Sequence, residues 1–116
     1  MSAVITDIWF VADIEIKELA KQLGLTNINF DSGGGWQWLS GDLLDFKLDI
    51  TQTSPEGDKS VRTRVFLFDK ELHFSAGFTD YLAEKLKTLG ITPIYFGRWV
   101  FIKDGQYEQC IVKVET

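Results

Sequence analysis

Histidine and cysteine are almost missing from these 116 residues: there is one of each, His73 and Cys110. A single imidazole excludes a two-histidine metal site within one chain. A Ser-His-Asp triad would have to use His73, and Ser75 stands too near it in sequence to pair with it. A single thiol cannot close an internal disulfide, which fits a reducing compartment. Cys110 alternates with Val112 and Val114, placing its side chain toward the core as an inert small apolar group. No apolar run reaches about 18 residues, so nothing reads as a bilayer-spanning helix. The N-terminus has neither a basic start nor a small-residue cleavage site, and the expected location is the cytoplasm. Positive charge is also short, with 12 Lys and Arg against 17 Asp and Glu and a formal charge of −5. That excludes a general binder of nucleic acid or anionic membrane, whose affinity would come from basic groups on phosphates. Gly33-Gly34-Gly35 lacks the Lys-Ser/Thr of a phosphate loop and the GxGxxG spacing of a dinucleotide site, and reads as a hinge or wide turn.

What is present is ordinary globular material, 45% apolar and 25% charged, and residues 1–116 read as one domain. Ala3–Val11 reads as a strand. Asp13 offers an N-cap to a helix whose apolar face is Ile16, Leu19, Ala20 and Leu23, with Gly24 as the left-handed residue that ends it. Thr26–Phe30 and Trp36–Leu39 read as short strands, and Ser40-Gly41-Asp42 as a turn. Leu44, Phe46, Leu48 and Ile50 alternate with Asp45, Lys47, Asp49 and Thr51, the period of a half-buried strand. Residues 53–60 form the most polar loop. Val61–Phe68 is a strand, and Asp69–Phe74 is strand or loop. A second helix starts at Ser75 or Thr79, buries Phe78, Leu82, Leu86 and Leu89, and ends at Gly90. Thr92–Lys103 and Tyr107–Val114 are strands joined across Asp104-Gly105, a strong hairpin signal.

Glu18–Phe30 laid on Glu84–Phe96 matches at seven of thirteen positions without gaps, and Asp13 and Thr79 are separated by the same offset of 66. This reads either as a duplicated β-α-β-β unit or as the shared composition of helix-Gly-strand junctions. The expected fold is α+β: an antiparallel sheet with two helices packed on it, ferredoxin-like or a related α+β sandwich.

The aromatic load is high, with four Trp, nine Phe and three Tyr. Trp36 and Trp38 follow three glycines and point to one side of any strand they form. They are either core or an exposed anchor of the kind enriched at interfaces. Tyr95, Trp99 and Phe101 share one face of the strand after the second helix, and Ile94, Phe96, Val100 and Ile102 the other, marking it as central. Trp36 and Trp38 either cover its outer face or leave that face as a binding surface. Acidic residues gather between the helices at Asp31, Asp42, Asp45, Asp49, Glu56 and Asp58, either as a solvated surface or as a face that steers a basic partner. Asp45 and Asp49 lie about 13 Å apart by strand rise, too far for a retaining glycosidase pair, with Lys47 between them.

In size, charge, lack of a catalytic set and the acidic segment Asp42–Asp58, the chain resembles bacterial immunity proteins, which bind and block toxin domains. That resemblance implies a non-enzymatic protein-binding module without cofactors, partnered by a toxin domain. Asp42, Asp45 and Asp49 would complement a charged site, and Trp36 or Trp38 would serve as the buried anchor. The second half, HFSAGFTDYLAEKLKTLGI from His73 through Asp104-Gly105 to Glu115, is similar to a module of the glyoxalase/bleomycin-resistance (vicinal oxygen chelate) superfamily. His73 matches its first ligand position, and Glu108 or Gln109 falls near the second. Thr6 stands where the other histidine would be, and no acidic ligand is evident near Arg62–Phe68. That resemblance therefore implies a metal-free binder of small ligands or a degenerate enzyme. An acidic DNA mimic is a third reading, for which a charge of −5 is modest.

Overall fold

The computed structural model describes residues 5–44, 46–53, 63–67 and 76–116. The elements run β1 (Asp7–Phe10), α1 (Ile16–Leu23), β2 (Thr26–Gly33), β3 (Trp36–Leu43), β4 (Phe46–Thr53), β5 (Thr63–Leu67), α2 (Ala76–Thr88), β6 (Ile94–Lys103) and β7 (Gln106–Glu115). The seven strands form one antiparallel sheet in the order β2-β3-β4-β5-β1-β6-β7. This is an α+β sandwich, with both helices on the same side of the sheet. No helix among the described residues is long and apolar enough to cross a membrane.

Residues opposed across antiparallel strands share a face, so the register identifies the core directly. Leu39, Ile50, Val65, Ile8 and Phe96 form one row across five strands, and each is at most 1% exposed. α1 lays Ile16, Leu19, Ala20 and Leu23 on this face, and α2 adds Phe78, Leu82 and Leu86. The Phe78 ring meets that of Phe46 on β4 at 4.2 Å. Beside this row, Gln52 continues the inward series Leu48, Ile50, Gln52. Its Nε2 donates to the Ile14 carbonyl at 2.8 Å and the Thr63 hydroxyl at 3.1 Å.

Both helices end alike. Gly24 and Gly90 are left-handed at φ 83° and 79°, and the amides of Leu25 and Ile91 donate back to the carbonyls of Ala20 and Leu86. These positions lie at the sequence offset of 66, but the starts differ. Glu15, not Asp13, caps α1: its carboxylate accepts from the Glu18 amide at 3.3 Å. Thr79 lies buried inside α2. The two β-α-β-β segments are also inserted differently. β6 enters beside β1 in the interior, whereas β2 takes the far edge.

The expected turn at Ser40-Gly41-Asp42 is strand: β3 runs through it and reverses after Leu43. Gly41 serves close approach rather than turning. A Cβ there would lie 2.9 Å from Leu25 Cδ2 and 3.2 Å from the Thr26 carbonyl, where the chain leaves α1. A bulge at Phe96/Gly97 changes the phase of β7, so Val112 packs on the core while Val114 turns outward at 46% exposure. Cys110 is half-buried.

Candidate functional site

The sheet face away from the helices is covered by no helix or strand among the described residues. One row crosses all seven strands on it: Asp31, Trp38, Thr51, Arg64, Trp9, Tyr95 and Val114. Its centre is closed. Trp9 is 7% exposed, stacked on Tyr95 with ring centroids 5.9 Å apart and nearly parallel. The Arg64 guanidinium lies 5.9 Å from the Trp9 ring, and its Nε lies 3.4 Å from the buried Asp7 carboxylate. The indole also lies across Gly97, leaving no room for a Cβ there.

The β3 end of the row is different. Trp36 and Trp38 stand on this face 45% and 41% exposed. Strand geometry puts their Cα atoms roughly 7 Å apart. Their opposed neighbours are small or polar: Gly33 and Thr53 beside Trp36, Asp31 and Thr51 beside Trp38. No aromatic partner comparable to Tyr95 shelters either indole among those four. The reversal next to them is a two-residue turn at Gly34-Gly35, both at positive φ.

Four of the five expected binding residues, Trp36, Trp38, Asp42 and Asp49, therefore share one face of the β3–β4 pair, while Asp45 lies outside the described residues. Asp42 is opposed to Lys47, and its Oδ2 accepts from Asn27 Nδ2 at 2.8 Å, tying down the bulged start of β2. Asp49 is opposed to Ser40, and its burial raises the carboxyl pKa above the ordinary range. The indoles do not cover β6, because β4, β5 and β1 lie between. Trp9 fills that role over Tyr95, and its position at the sheet centre follows from a strand order that sequence reasoning did not supply.

A shallow cavity of about 490 Å³ opens beside Trp36. Asp13, Ile14 and Glu15 supply the wall leading into α1, and Gln37, Gln52 and Thr53 the wall from β3 and β4. The signal in the sequence was Gln52, a polar residue at the inward phase of an apolar strand.

Of the residues raised by the second resemblance, Glu108 is exposed on β7, His73 lies outside the described residues, and the Thr6 amide donates to the Gly97 carbonyl. Among the described residues no group of three His, Cys, Asp or Glu converges on a point that would hold a metal ion. Comparison with known proteins gives no matching family model, no matching curated protein and no matching solved structure.

Proposed function

We propose that this chain is a non-enzymatic protein-binding module, an immunity protein that acts in the bacterial cytoplasm and seats its β3–β4 face on a toxin domain. The observation that carries the reading is the pair of adjacent indoles, each more than two-fifths exposed, on the sheet face that no described element covers. Exposed tryptophan side by side is a poor surface for a solitary protein and a good anchor for an interface. Asp42 and Asp49 on the same face, with Asp45 from the adjoining sequence, would add negative charge that favours approach by a basic partner and sets its orientation.

Co-expression with toxic proteins encoded beside the gene tests this. One neighbour should lose its toxicity when this chain is present. Trp36→Ala combined with Trp38→Ala should restore toxicity; because more than half of each side chain is already shielded, the double variant also melts lower than the parent, and a native circular dichroism spectrum at the assay temperature separates lost binding from lost fold. If no neighbour is toxic, or toxicity persists beside the folded parent chain, the reading is wrong.

A further inference from the structure

We propose that the outer edge of β2 pairs with the same edge of a second copy of this chain, antiparallel about a two-fold axis through Phe30. The chain itself shows what such an edge accepts, because the helix-Gly-strand pattern occurs twice. Ile28 and Phe30 match Ile94 and Phe96 at the offset of 66. On β6 the side away from β7 carries an antiparallel strand: β1 lies there with Ile8 opposite Phe96, and Ile94 and Phe96 are 0% exposed. On β2 no described strand takes the equivalent side, away from β3. All eight residues of β2 are exposed, Ile28 at 44% and Phe30 at 37%, although the Lys17 ammonium lies 4.1 Å from the Phe30 ring centroid. An edge that presents two apolar side chains is a template for one more strand.

Backbone alternation and charge select the axis. Gly33 and Trp36 close the two-residue turn as a hydrogen-bonded pair, so Asp31 and Asn29 also bond to β3, while Ser32 and Phe30 direct their N–H and C=O groups outward. The Ser32 amide accordingly donates to the adjacent Asp31 carboxylate, at 2.8 Å, rather than to a strand. With the axis at Phe30, the two Phe30 residues exchange a pair of backbone hydrogen bonds and oppose their rings on the helix side. Asn29 then stands opposite Asp31 of the second copy, an amide against a carboxylate, on the other side. An axis at Asp31 would oppose two carboxylates. An axis at Asn29 runs into the bulge between Thr26 and Asn29, and one at Ser32 carries Phe30 past the end of the strand to Gly34. Isologous pairing of this kind closes as a dimer. It extends the sheet edgewise and leaves the face of Trp36 and Trp38 uncovered, so it stands apart from the proposed function.

Analytical ultracentrifugation of the intact chain, from about 10 µM to about 1 mM, tests this. One edge buries less than a standard interface and each copy carries a charge of −5, so a dimer with a Kd on the order of 100 µM is expected. Ser32→Pro removes an outward N–H that β3 does not use and should weaken the dimer at least about tenfold. Asn29→Lys sets a lysine opposite Asp31 on both sides of the axis and should tighten it about threefold or more, a gain that misfolding cannot imitate. Gln106→Lys adds the same charge on exposed β7, at the other edge, and should change the Kd less than about twofold. Circular dichroism confirms that each variant keeps the parent fold. A parent chain still monomeric at about 1 mM, a dimer that a folded Ser32→Pro variant retains, or one that Asn29→Lys tightens no more than Gln106→Lys would overturn the assignment.

Discussion

Substituting Gly97 by Ala tests whether the closed centre of the outer face is set by one glycine. A Cβ at Gly97 would lie 2.7 Å from Trp9 Cη2, closer still to Cζ3, and 2.9 Å from the Cys110 carbonyl. The carbonyl belongs to the paired strand β7 and cannot swing away alone. The indole is stacked on Tyr95, with the Arg64 guanidinium against its ring, so tilting it breaks both contacts. Overpacking of this kind costs about 1–3 kcal/mol, and contact with backbone puts it toward the upper end. Alanine returns about 0.5–1 kcal/mol through its lower backbone entropy. The net loss should be about 2 kcal/mol, or roughly 8 °C in melting temperature for a domain of this size. Urea unfolding followed by circular dichroism measures it. Trp9→Phe removes the atoms in the way, so Gly97→Ala should cost at least about 1 kcal/mol less in that background. A loss below about 0.5 kcal/mol, or strict additivity of the two changes, would refute the packing argument.

Two carboxylates should shift stability with pH in opposite senses. Burial raises the folded pKa of Asp49, so the folded state holds its proton more tightly and stability falls as pH rises from the ordinary Asp range through the folded value. Asp49→Asn should therefore melt higher than the parent at neutral pH, with the gain vanishing in acid below about pH 3. Glu115 is held below its ordinary range chiefly by its bond to Lys87, at 3.0 Å, so its contribution is present above that range and is lost as pH falls through the folded value. Glu115→Gln should lower the neutral melting temperature and flatten the acid limb; thermal melts across pH check both signs. Leu44 is exposed and left-handed at φ 56°. Leu44→Asn should leave the fold intact and add up to about 1 kcal/mol of stability, read as a higher urea midpoint at unchanged slope, since Asn tolerates this conformation better. Gln52→Leu should cost about 1–3 kcal/mol in urea unfolding, because the Ile14 carbonyl and Thr63 hydroxyl lose their shared donor inside the core.

Where local chemistry decides the structure, the sequence is readable. Asp104 and Gly105 are both at positive φ, as a two-residue hairpin turn requires, and Gly24 and Gly90 end their helices as left-handed residues. The alternation in β4 puts Leu48 and Ile50 inward and Lys47 and Asp49 outward. The misreadings arise where a distant contact overrides the local signal. Gly41 looks like a turn residue and is a strand residue that makes room for Leu25. Glu15 caps α1 because the buried stripe from Ile16 to Leu23 fixes the helical phase two residues beyond Asp13. No pattern along the chain places β1 between β5 and β6, or β2 at the edge, since those neighbours come from chain closure over long separations. The bulge that turns Val114 outward was hidden for the same reason.

The exposure of the two indoles follows from the same alternation, once β3 is allowed its full length. Leu39, Gly41 and Leu43 face the helices, so Trp36, Trp38, Ser40 and Asp42 must face away. Ending the strand at Leu39 removes Ser40 and Asp42 from the pattern and leaves the face of the indoles undecided. With the face fixed, the energetics can be bounded. Burying what remains exposed of both rings would remove roughly 200 Å² from water, about 5 kcal/mol gross. A stable interface hides about 800 Å² on each partner, and association itself consumes several kcal/mol. The indoles alone therefore cannot hold a partner tightly. They can act as the anchor of a patch whose rim is polar, and Ser40, Asp42, Lys47, Asp49 and Thr51 on the same two strands supply that rim. A complex on this face should lose most of its affinity with either indole and only part of it with any single rim residue.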